Sequence, residues 1–368
     1  MPNNEGARVN GTDEGRRQFH TLDMLRGLAA LAVVGRHLGG VWLGWLPGSH
    51  LAVDLFFALS GFVIAHAYAA RLSAGLGARA FMAIRVRRLY PLYLLGAVLG
   101  MAFAVVEALT GQPTGVGIGA WLGAVPLTLV FVPAPFFDAF HLFPFNSPSW
   151  SLLWELVVNA VYAPVAKWLT GPRLIAGLVV AAALLVASAV QFQGLDSGSN
   201  VRNWIGGPER VGYSFLAGVA VHRLWAAGRL SWLRLHPLLA GVALLAVFAL
   251  RPHGDAPAYD AVMALVGFPL LVLAATAEPT PAWHGAFKRL GIASYAIYAI
   301  HLPLVKFEAA AVFRMGDISG LSRFAIETGF MAFVFVAALI ADRWFDRPVR
   351  CWLDRWTQAR RPGAGMGA

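Results

Sequence analysis

Three basic side chains interrupt the first long apolar stretch of the sequence, residues 22–42. They are Arg26, Arg36 and His37, and a charged group inside a membrane is costly unless it faces a partner or a polar cavity. Arg26 and His37 are eleven residues apart, which on a helix is about 1100° of rotation and about 16 Å of rise. Both side chains therefore lie on nearly the same face. We predict that this face carries a fixed positive charge near one membrane surface and a proton-exchanging imidazole near the other.

Three further titratable residues are predicted to lie at the depth of His37, one on each of three other apolar stretches. They are Asp54, Glu155 and His301. One buried histidine alone is usually a structural residue, but four such groups at one depth indicate a shared polar site. An imidazole held by a carboxylate can take a proton from a hydroxyl and return it to a leaving group. We predict that His37 is the acid–base residue, that Asp54 orients it, and that Glu155 either shares this role or binds the acceptor.

Arginines cluster at the opposite end of the predicted helices. The motif R-V-R-R-L-Y-P-L-Y, residues 85–93, places Arg85 and Arg88 one helical turn apart, and Lys288 stands at the start of a later helix. Guanidinium groups bind phosphates through paired hydrogen bonds. Membrane anchoring explains any one of these residues singly, but their spacing favours a site for a phosphorylated donor from the cytoplasm.

Three more side chains are candidates: Trp150 and Ser151 in P-S-W-S-L-L-W-E, and Tyr295 in S-Y-A-I-Y-A-I-H. Ser151 lacks the G-x-S-x-G context of a nucleophilic serine, so a serine acyl-enzyme is not expected. The sequence also has no Walker loop, no G-x-G-x-x-G and no His/Cys cluster with metal spacing. We predict no metal and no permanently bound cofactor.

The composition is that of a membrane protein. Of 368 residues, 58% are hydrophobic and 13% charged, whereas about a quarter of a soluble domain is charged. The apolar residues form unbroken runs of about the length that crosses a bilayer as a helix. The net charge of +10 comes from basic residues at helix ends, as membrane topology requires, so nucleic-acid binding is not expected.

An all-α integral membrane fold of about ten transmembrane helices in one bundle is predicted, with both termini cytoplasmic. This topology places 21 of the 29 Lys and Arg residues inside and 6 outside, in agreement with the positive-inside rule. The loop 111–148 is then predicted to lie outside, either partly re-entrant or at the membrane interface. It is either a plain connector or a lid or platform for the acceptor. Residues 1–20 are a polar cytoplasmic segment, 21–345 the transmembrane domain and 346–368 a cytoplasmic tail. The predicted spans are 22–44, 51–70, 90–110, 149–167, 172–190, 209–226, 236–250, 258–276, 288–306 and 324–342.

Five motifs together resemble the acyltransferase type 3 family of multi-pass membrane acyltransferases. L-D-M-L-R-G-L-A-A-L-A-V-V-G-R-H resembles that family's Arg-x10-His signature at Arg26 and His37. The resemblance covers roughly residues 20–350, and the sequence departs from the family pattern in having Arg36 beside His37 and D-R-P, not Glu-x-Pro, at 346–348. The other four motifs are V-D-L-F-F-A-L-S-G-F-V-I (53–64), R-V-R-R-L-Y-P-L-Y (85–93), P-S-W-S-L-L-W-E (148–155) and L-G-I-A-S-Y-A-I-Y-A-I-H-L-P (290–303).

The resemblance implies an enzyme of a bacterial cytoplasmic membrane that takes acetyl-coenzyme A, as a co-substrate, from the cytoplasm. It implies transfer of the acetyl group to a carbohydrate hydroxyl on the outer side, with Arg26 and His37 essential and Arg85 and Arg88 serving the donor. The partners would be the lipid bilayer, acyl-coenzyme A, a glycan or glycolipid such as lipopolysaccharide or peptidoglycan, and a separate extracytoplasmic transferase if the chain does not act alone.

Several alternatives stay open from the sequence. His37 can act as a base in direct transfer, or it can itself be acylated first. Buried Arg, His and carboxylate groups also form proton relays, so a proton-coupled transporter or exporter is the alternative function. A third is a structural or flippase-like partner of a glycan assembly complex.

Overall fold

The computed structural model of the chain describes residues 17–110, 118–136, 140–316 and 318–359. All regular structure in these ranges is helical; an isolated bridge between His141 and Asn200 is the only β-type pairing that they contain. The all-α prediction is therefore confirmed. Most of the predicted N-terminal segment, parts of the loop 111–148 and the end of the predicted C-terminal tail lie outside the described residues.

The helices are α1 (His20–Leu38), α2 (Val41–Trp45), α3 (Ala52–Ser73), α4 (Ala78–Leu109), α5 (Ile118–Leu129), α6 (Ser149–Val165), α7 (Gly171–Gln191), α8 (Gly206–Ala226), α9 (Pro237–Ala249), α10 (Pro257–Val262), α11 (Phe268–Ala274), α12 (Pro281–Met315), α13 (Gly320–Ala341) and α14 (Arg347–Ala359). Single 3-10 turns cover Pro47–Leu51 and Ser231–Leu233. One π-helical turn, Met263–Gly267, joins α10 to α11, and another, Asp342–Asp346, joins α13 to α14.

Six helical segments of the described chain are long and apolar enough to cross a membrane, by length and composition. This supports an integral membrane protein, while the count of ten spans and the cytoplasmic termini stay predictions. Among the other predicted spans, α6 has 17 residues and α9 has 13, and α1 and α8 carry several charged residues. The six segments are Pro47–Ser73, Ala78–Leu109, Gly171–Gln191, Pro257–Ala274, Pro281–Met315 and Gly320–Thr357.

Helix α12 lies at the centre of the bundle, where it packs against α1, α4 and α13. It approaches α1 closely because Gly27 has no side chain: a Cβ there would lie 2.5 Å from the Cβ of Leu290. Small residues permit such contacts between membrane helices. The close packing brings the C-terminal end of α1, which carries His37, against the middle of α12, which carries His301.

Helices α3 and α8 form a second close pair through reciprocal glycines. A Cβ on Gly61 would lie 2.0 Å from the carbonyl oxygen of Phe215, and one on Gly218 would lie 2.0 Å from that of Ala58. Neither position can carry a side chain unless the helices separate. The contact fixes the distance at which polar groups on α3 and α8 face each other, including the ion pair described below.

Candidate active site

Two cavities lie back to back inside the bundle. The first, here called the arginine cavity, has about 830 Å³ of empty space including its open mouth; the second, the histidine cavity, has about 520 Å³. Val53 of α3 and Tyr298 of α12 line both of them. The charged and histidine side chains of the arginine cavity are Arg26, Arg85, Arg88 and Glu155, and those of the histidine cavity are Arg36, His37, His50, Asp196 and Arg210.

His37 meets His301 across the α1–α12 contact. Nδ1 of His37 lies 2.9 Å from the carbonyl oxygen of Val33 and 3.3 Å from Nε2 of His301. His301 is fully buried, and its Nδ1 lies 2.8 Å from the carbonyl oxygen of Tyr298 and 3.1 Å from that of Ile297. Because carbonyl oxygens only accept hydrogen bonds, Nδ1 of His301 carries the proton and its Nε2 is an acceptor.

The hydrogen-bond partners of His37 assign its tautomer in the same way. Both neighbours of its Nδ1, the Val33 carbonyl and Nε2 of His301, are acceptors, so Nδ1 carries the proton and donates to them. Nε2 of His37 then holds the lone pair. Because His37 lines the histidine cavity, this nitrogen is the atom available there as a base or a nucleophile.

Asp54 does not orient His37, contrary to the sequence-based prediction. Its Oδ1 accepts from Nε of Arg210 at 3.1 Å and its Oδ2 from NH2 of Arg210 at 2.6 Å, and both residues are fully buried. Arg210 also donates to the carbonyl oxygens of Ser197 and His50. Asp54 is therefore half of a closed ion pair, and the contact to Nδ1 of His37 is made by His301.

Glu155 lies in the arginine cavity and not beside His37, which corrects its predicted depth. It is six residues beyond Ser149, the first residue of α6, and so about 9 Å further along the helix. Its Oε1 accepts from NH2 of Arg85 at 2.7 Å and from the Ser60 hydroxyl at 3.0 Å. This carboxylate neutralises Arg85.

The other two arginines of the arginine cavity lack a close carboxylate partner among the described residues. Arg88 is exposed and has no ion pair within 4 Å among the described residues. Arg26 has a single distant partner, Asp23, at 3.8 Å. Lys288, which was predicted to join them, is exposed on α12 outside the cavity lining. The structure thus brings Arg26, Arg85 and Arg88 together and leaves Lys288 apart.

The remaining candidates are divided between the two cavities. Trp150 lines the histidine cavity, with its ring 5.4 Å from the guanidinium carbon of Arg210. Ser151 lines the arginine cavity, where its hydroxyl lies 2.6 Å from that of Tyr298. Tyr295 also lines the arginine cavity, and its hydroxyl donates to the Leu89 carbonyl.

Sequence reasoning missed the polar groups that close the histidine cavity. Arg36 forms an ion pair with Asp196 of the α7–α8 loop. Arg210, which pairs with Asp54, was not among the predicted site residues. A signal for Arg210 was available: it stands at the start of an apolar helix, as Asp54 does. Asp196 had no such signal, because its position depends on how the loop folds back over α1.

A second buried ion pair supports the rim of this cavity. Asp260 accepts from Nε of Arg251 at 2.7 Å, lies 3.1 Å from Nε2 of His50, and accepts from the backbone N–H of Leu195 at 2.9 Å. The carboxylate ties the α9–α10 loop to the α7–α8 loop. It therefore holds the segment that carries Asp196.

Outside the cavities, His20, Glu278 and His284 place three potential metal-ligand atoms within 4.8 Å of one another. The three residues are far apart in the sequence, so spacing could not reveal them. Nδ1 of His20 lies 2.9 Å from Glu278, and its ring stacks on that of His284 at 4.1 Å. These contacts account for the cluster without an ion, and the absence of a metal stays a prediction.

A family model described as an acyltransferase domain, that of the acyltransferase type 3 family, matches residues 19–343. The match covers nearly the whole chain and includes every residue of both cavities. The chain belongs to this family, and it is an acyltransferase.

Three relatives are similar over parts of the chain. It is 41% identical over 184 residues to protein 2 in the picA locus of Rhizobium radiobacter, which is 48% of this chain and 96% of that protein. It is 27% identical over 224 residues to the peptidoglycan O-acetyltransferase OatA of Listeria monocytogenes, and 33% identical over 162 residues to the acyltransferase MdmB of Streptomyces mycarofaciens. These two matches cover 59% and 40% of this chain but only 35% and 38% of the relatives. No solved structure gives a significant match.

Proposed function

We propose that the protein transfers an acyl group, with acetyl as the preferred one, from cytoplasmic acyl-coenzyme A to a carbohydrate hydroxyl. The acceptor lies on the extracytoplasmic side of a bacterial cytoplasmic membrane. The observation that carries the proposal is the pair of cavities. One is lined by Arg88, which has no ion pair among the described residues, and by Arg26, whose partner Asp23 is 3.8 Å away; the other is lined by a histidine whose Nε2 holds a lone pair. The O-acetyltransferase named among the relatives supports a hydroxyl acceptor.

The donor occupies the arginine cavity in this proposal. Arg88 and Arg26 bind the phosphates of the coenzyme, because neither has a close carboxylate partner among the described residues. Arg85 stays paired with Glu155. The pantetheine arm then extends between α3 and α12 towards Tyr298, where the two cavities meet.

The reaction takes place at His37. Nε2 of His37 removes the proton of the acceptor hydroxyl, and the hydroxyl oxygen attacks the thioester carbon. The carbon–oxygen bond forms, the carbon–sulfur bond breaks, and His37 returns the proton to the departing thiolate. The imidazolium that exists between these two transfers is stabilised through Nδ1–H by the Val33 carbonyl and by Nε2 of His301.

The acceptor occupies the histidine cavity. Its walls offer hydroxyls at Ser197 and Ser199, the Arg36–Asp196 pair and the ring of Trp150. The side chain of Asp196 is 64% exposed, so its oxygens can accept hydrogen bonds from a ligand. A molecule rich in hydroxyl groups matches this mixture of donors and acceptors better than an apolar one does.

Transfer of label from radioactive acetyl-coenzyme A tests the function. Bacterial membranes that contain the protein should release coenzyme A and accumulate labelled glycan, and membranes without it should not. If neither product forms although the protein is present, the acyl-coenzyme A donor is ruled out. Proton-coupled uptake or export by the same membranes, without coenzyme release, would favour the transporter alternative.

Arg88→Ala should raise the KM for acetyl-coenzyme A roughly 10- to 100-fold, the effect of losing one charge-assisted hydrogen bond. The matched control is Arg87→Ala, because Arg87 bonds to Asp354 and Thr357 and does not line the cavity. Initial rates at a series of coenzyme concentrations separate the two variants. An equal KM in Arg88→Ala and the wild type would remove Arg88 from the donor site.

His301→Ala should lower kcat roughly 10- to 100-fold with little change in the KM for the coenzyme, because one of the two acceptors for Nδ1 of His37 is lost. His301→Gln should recover part of the loss, since its side-chain oxygen can accept the same hydrogen bond. The same rate measurements give both constants. A change in KM alone would contradict a role for His301 in positioning His37.

A further inference from the structure

Val53 and Tyr298 form a partition between the two cavities, since both residues appear in both linings. Val53 is 8% exposed and Tyr298 is 6% exposed. The tyrosine ring is held from two sides: its hydroxyl lies 2.6 Å from that of Ser151, and Phe56 packs edge-on against it at 5.6 Å. The aromatic side of the partition is therefore fixed, and Val53 forms its aliphatic side.

If the proposed function holds, on which this inference rests, the reacting groups approach the partition from opposite sides. The coenzyme enters the arginine cavity, whereas the base that activates the acceptor, His37, lines the histidine cavity. The thioester carbon of a coenzyme bound in the arginine cavity must come within bonding distance of the acceptor oxygen that His37 activates. The reaction therefore takes place at the partition. The acyl chain attached to that carbon then lies against Val53 and Tyr298.

We propose that Val53 sets the length of the acyl group that the enzyme transfers. The tethered ring of Tyr298 cannot make room for a longer chain, so the space next to the thioester carbon depends on the side chain at position 53. Valine leaves room for acetyl. A butyryl chain is two methylenes longer, and the two methyl groups of Val53 occupy about that space.

Val53→Ala should raise the ratio of kcat/KM for butyryl-coenzyme A to that for acetyl-coenzyme A by about 10-fold or more, given what one methylene is worth in a closed pocket. Val53→Ile should lower the same ratio below that of the wild type. The assay uses membranes containing the full chain, supplied with either coenzyme at a series of concentrations. Release of coenzyme A and acylation of the glycan are both measured.

Two matched controls carry the same substitution on either side of the partition. Of the two cavities, Val63 lines the arginine cavity alone and Val33 the histidine cavity alone. Val63→Ala and Val33→Ala should therefore keep the wild-type ratio of kcat/KM for butyryl-coenzyme A to that for acetyl-coenzyme A. Should Val53→Ala fail to accumulate, Val53→Ile still decides the matter, because its effect has the opposite sign.

The outcomes separate the two proposals. Acetyl transfer by the wild type, together with an unchanged ratio in both Val53 variants, would overturn the role of Val53 and leave the proposed function standing. An equal shift in Val63→Ala or Val33→Ala would show that general loosening, and not the partition, sets the preference. No transfer from either coenzyme by the wild type would overturn the proposed function and this inference with it.

Discussion

His37→Ala is expected to lower kcat for acyl transfer at least about 100-fold, the lower end of what a positioned acid–base group contributes. The variant loses the lone pair at Nε2, and His301 cannot replace it, because that residue is fully buried and its Nε2 faces His37. The measurement is transfer of labelled acetyl to glycan by membranes that contain equal amounts of each protein. Only the variant lacking the base should fail.

His253→Ala is the matched histidine control. His253 is exposed in the α9–α10 loop and lines neither cavity, so its replacement should leave transfer at the wild-type level. Transfer by His37→Ala at more than a tenth of the wild-type rate would contradict the proposed mechanism. In that case another group would have to take the proton of the acceptor hydroxyl.

The wild type and His37→Ala also distinguish the two chemical routes that the sequence leaves open, direct transfer and prior acylation of His37. If His37 is acylated first, labelled protein should be trapped by rapid denaturation in the absence of acceptor, and the label should be missing from His37→Ala. Direct transfer predicts that no labelled protein forms. The geometry permits either route, because the lone pair of Nε2 can attack carbon or accept a proton.

Much of the fold could be predicted because a membrane constrains the sequence so strongly. Long apolar runs must be helical in lipid, and the helical period alone places Arg26 and His37 on one face. In the structure both residues are on α1, where Arg26 lines the arginine cavity and His37 the histidine cavity. The charge and spacing of Arg85 and Arg88 also predicted a shared site, and both residues line the arginine cavity.

The partners across helices could not be predicted in this way. Counting residues from a membrane surface gives the depth of a side chain but not the direction in which it points, and Asp54 was assigned to His37 on depth alone. Its real partner, Arg210, is selected by the contact between α3 and α8, which depends on Gly61 and Gly218. Packing of this kind is not visible in the hydrophobic pattern of a single chain.

Arg210→Ala is expected to destabilise the protein by roughly 3–5 kcal/mol, the usual result of leaving one charge of a buried pair without its partner. The carboxylate of Asp54 is 0% exposed and would lose both of its hydrogen bonds to Arg210. Thermal unfolding of the purified protein in detergent should show the loss as a clearly lower Tm. Arg202→Ala, at an exposed arginine of the preceding loop, should change stability by no more than about 0.5 kcal/mol.

The double variant Arg210→Met with Asp54→Leu distinguishes two effects of losing Arg210. One is the cost of an unpaired buried charge, and the other is the loss of the contacts by which Arg210 shapes the histidine cavity. Replacing both ions with apolar groups removes the unpaired charge, so most of the lost stability should return. Activity should not return with it, because Arg210 also donates to the carbonyl oxygens of Ser197 and His50, which line the histidine cavity. A double variant as unstable as Arg210→Ala would show that these two carbonyl bonds, and not the ion pair, are what hold α8 in place. Full recovery of both stability and transfer would mean that Arg210 has no part in shaping the acceptor site.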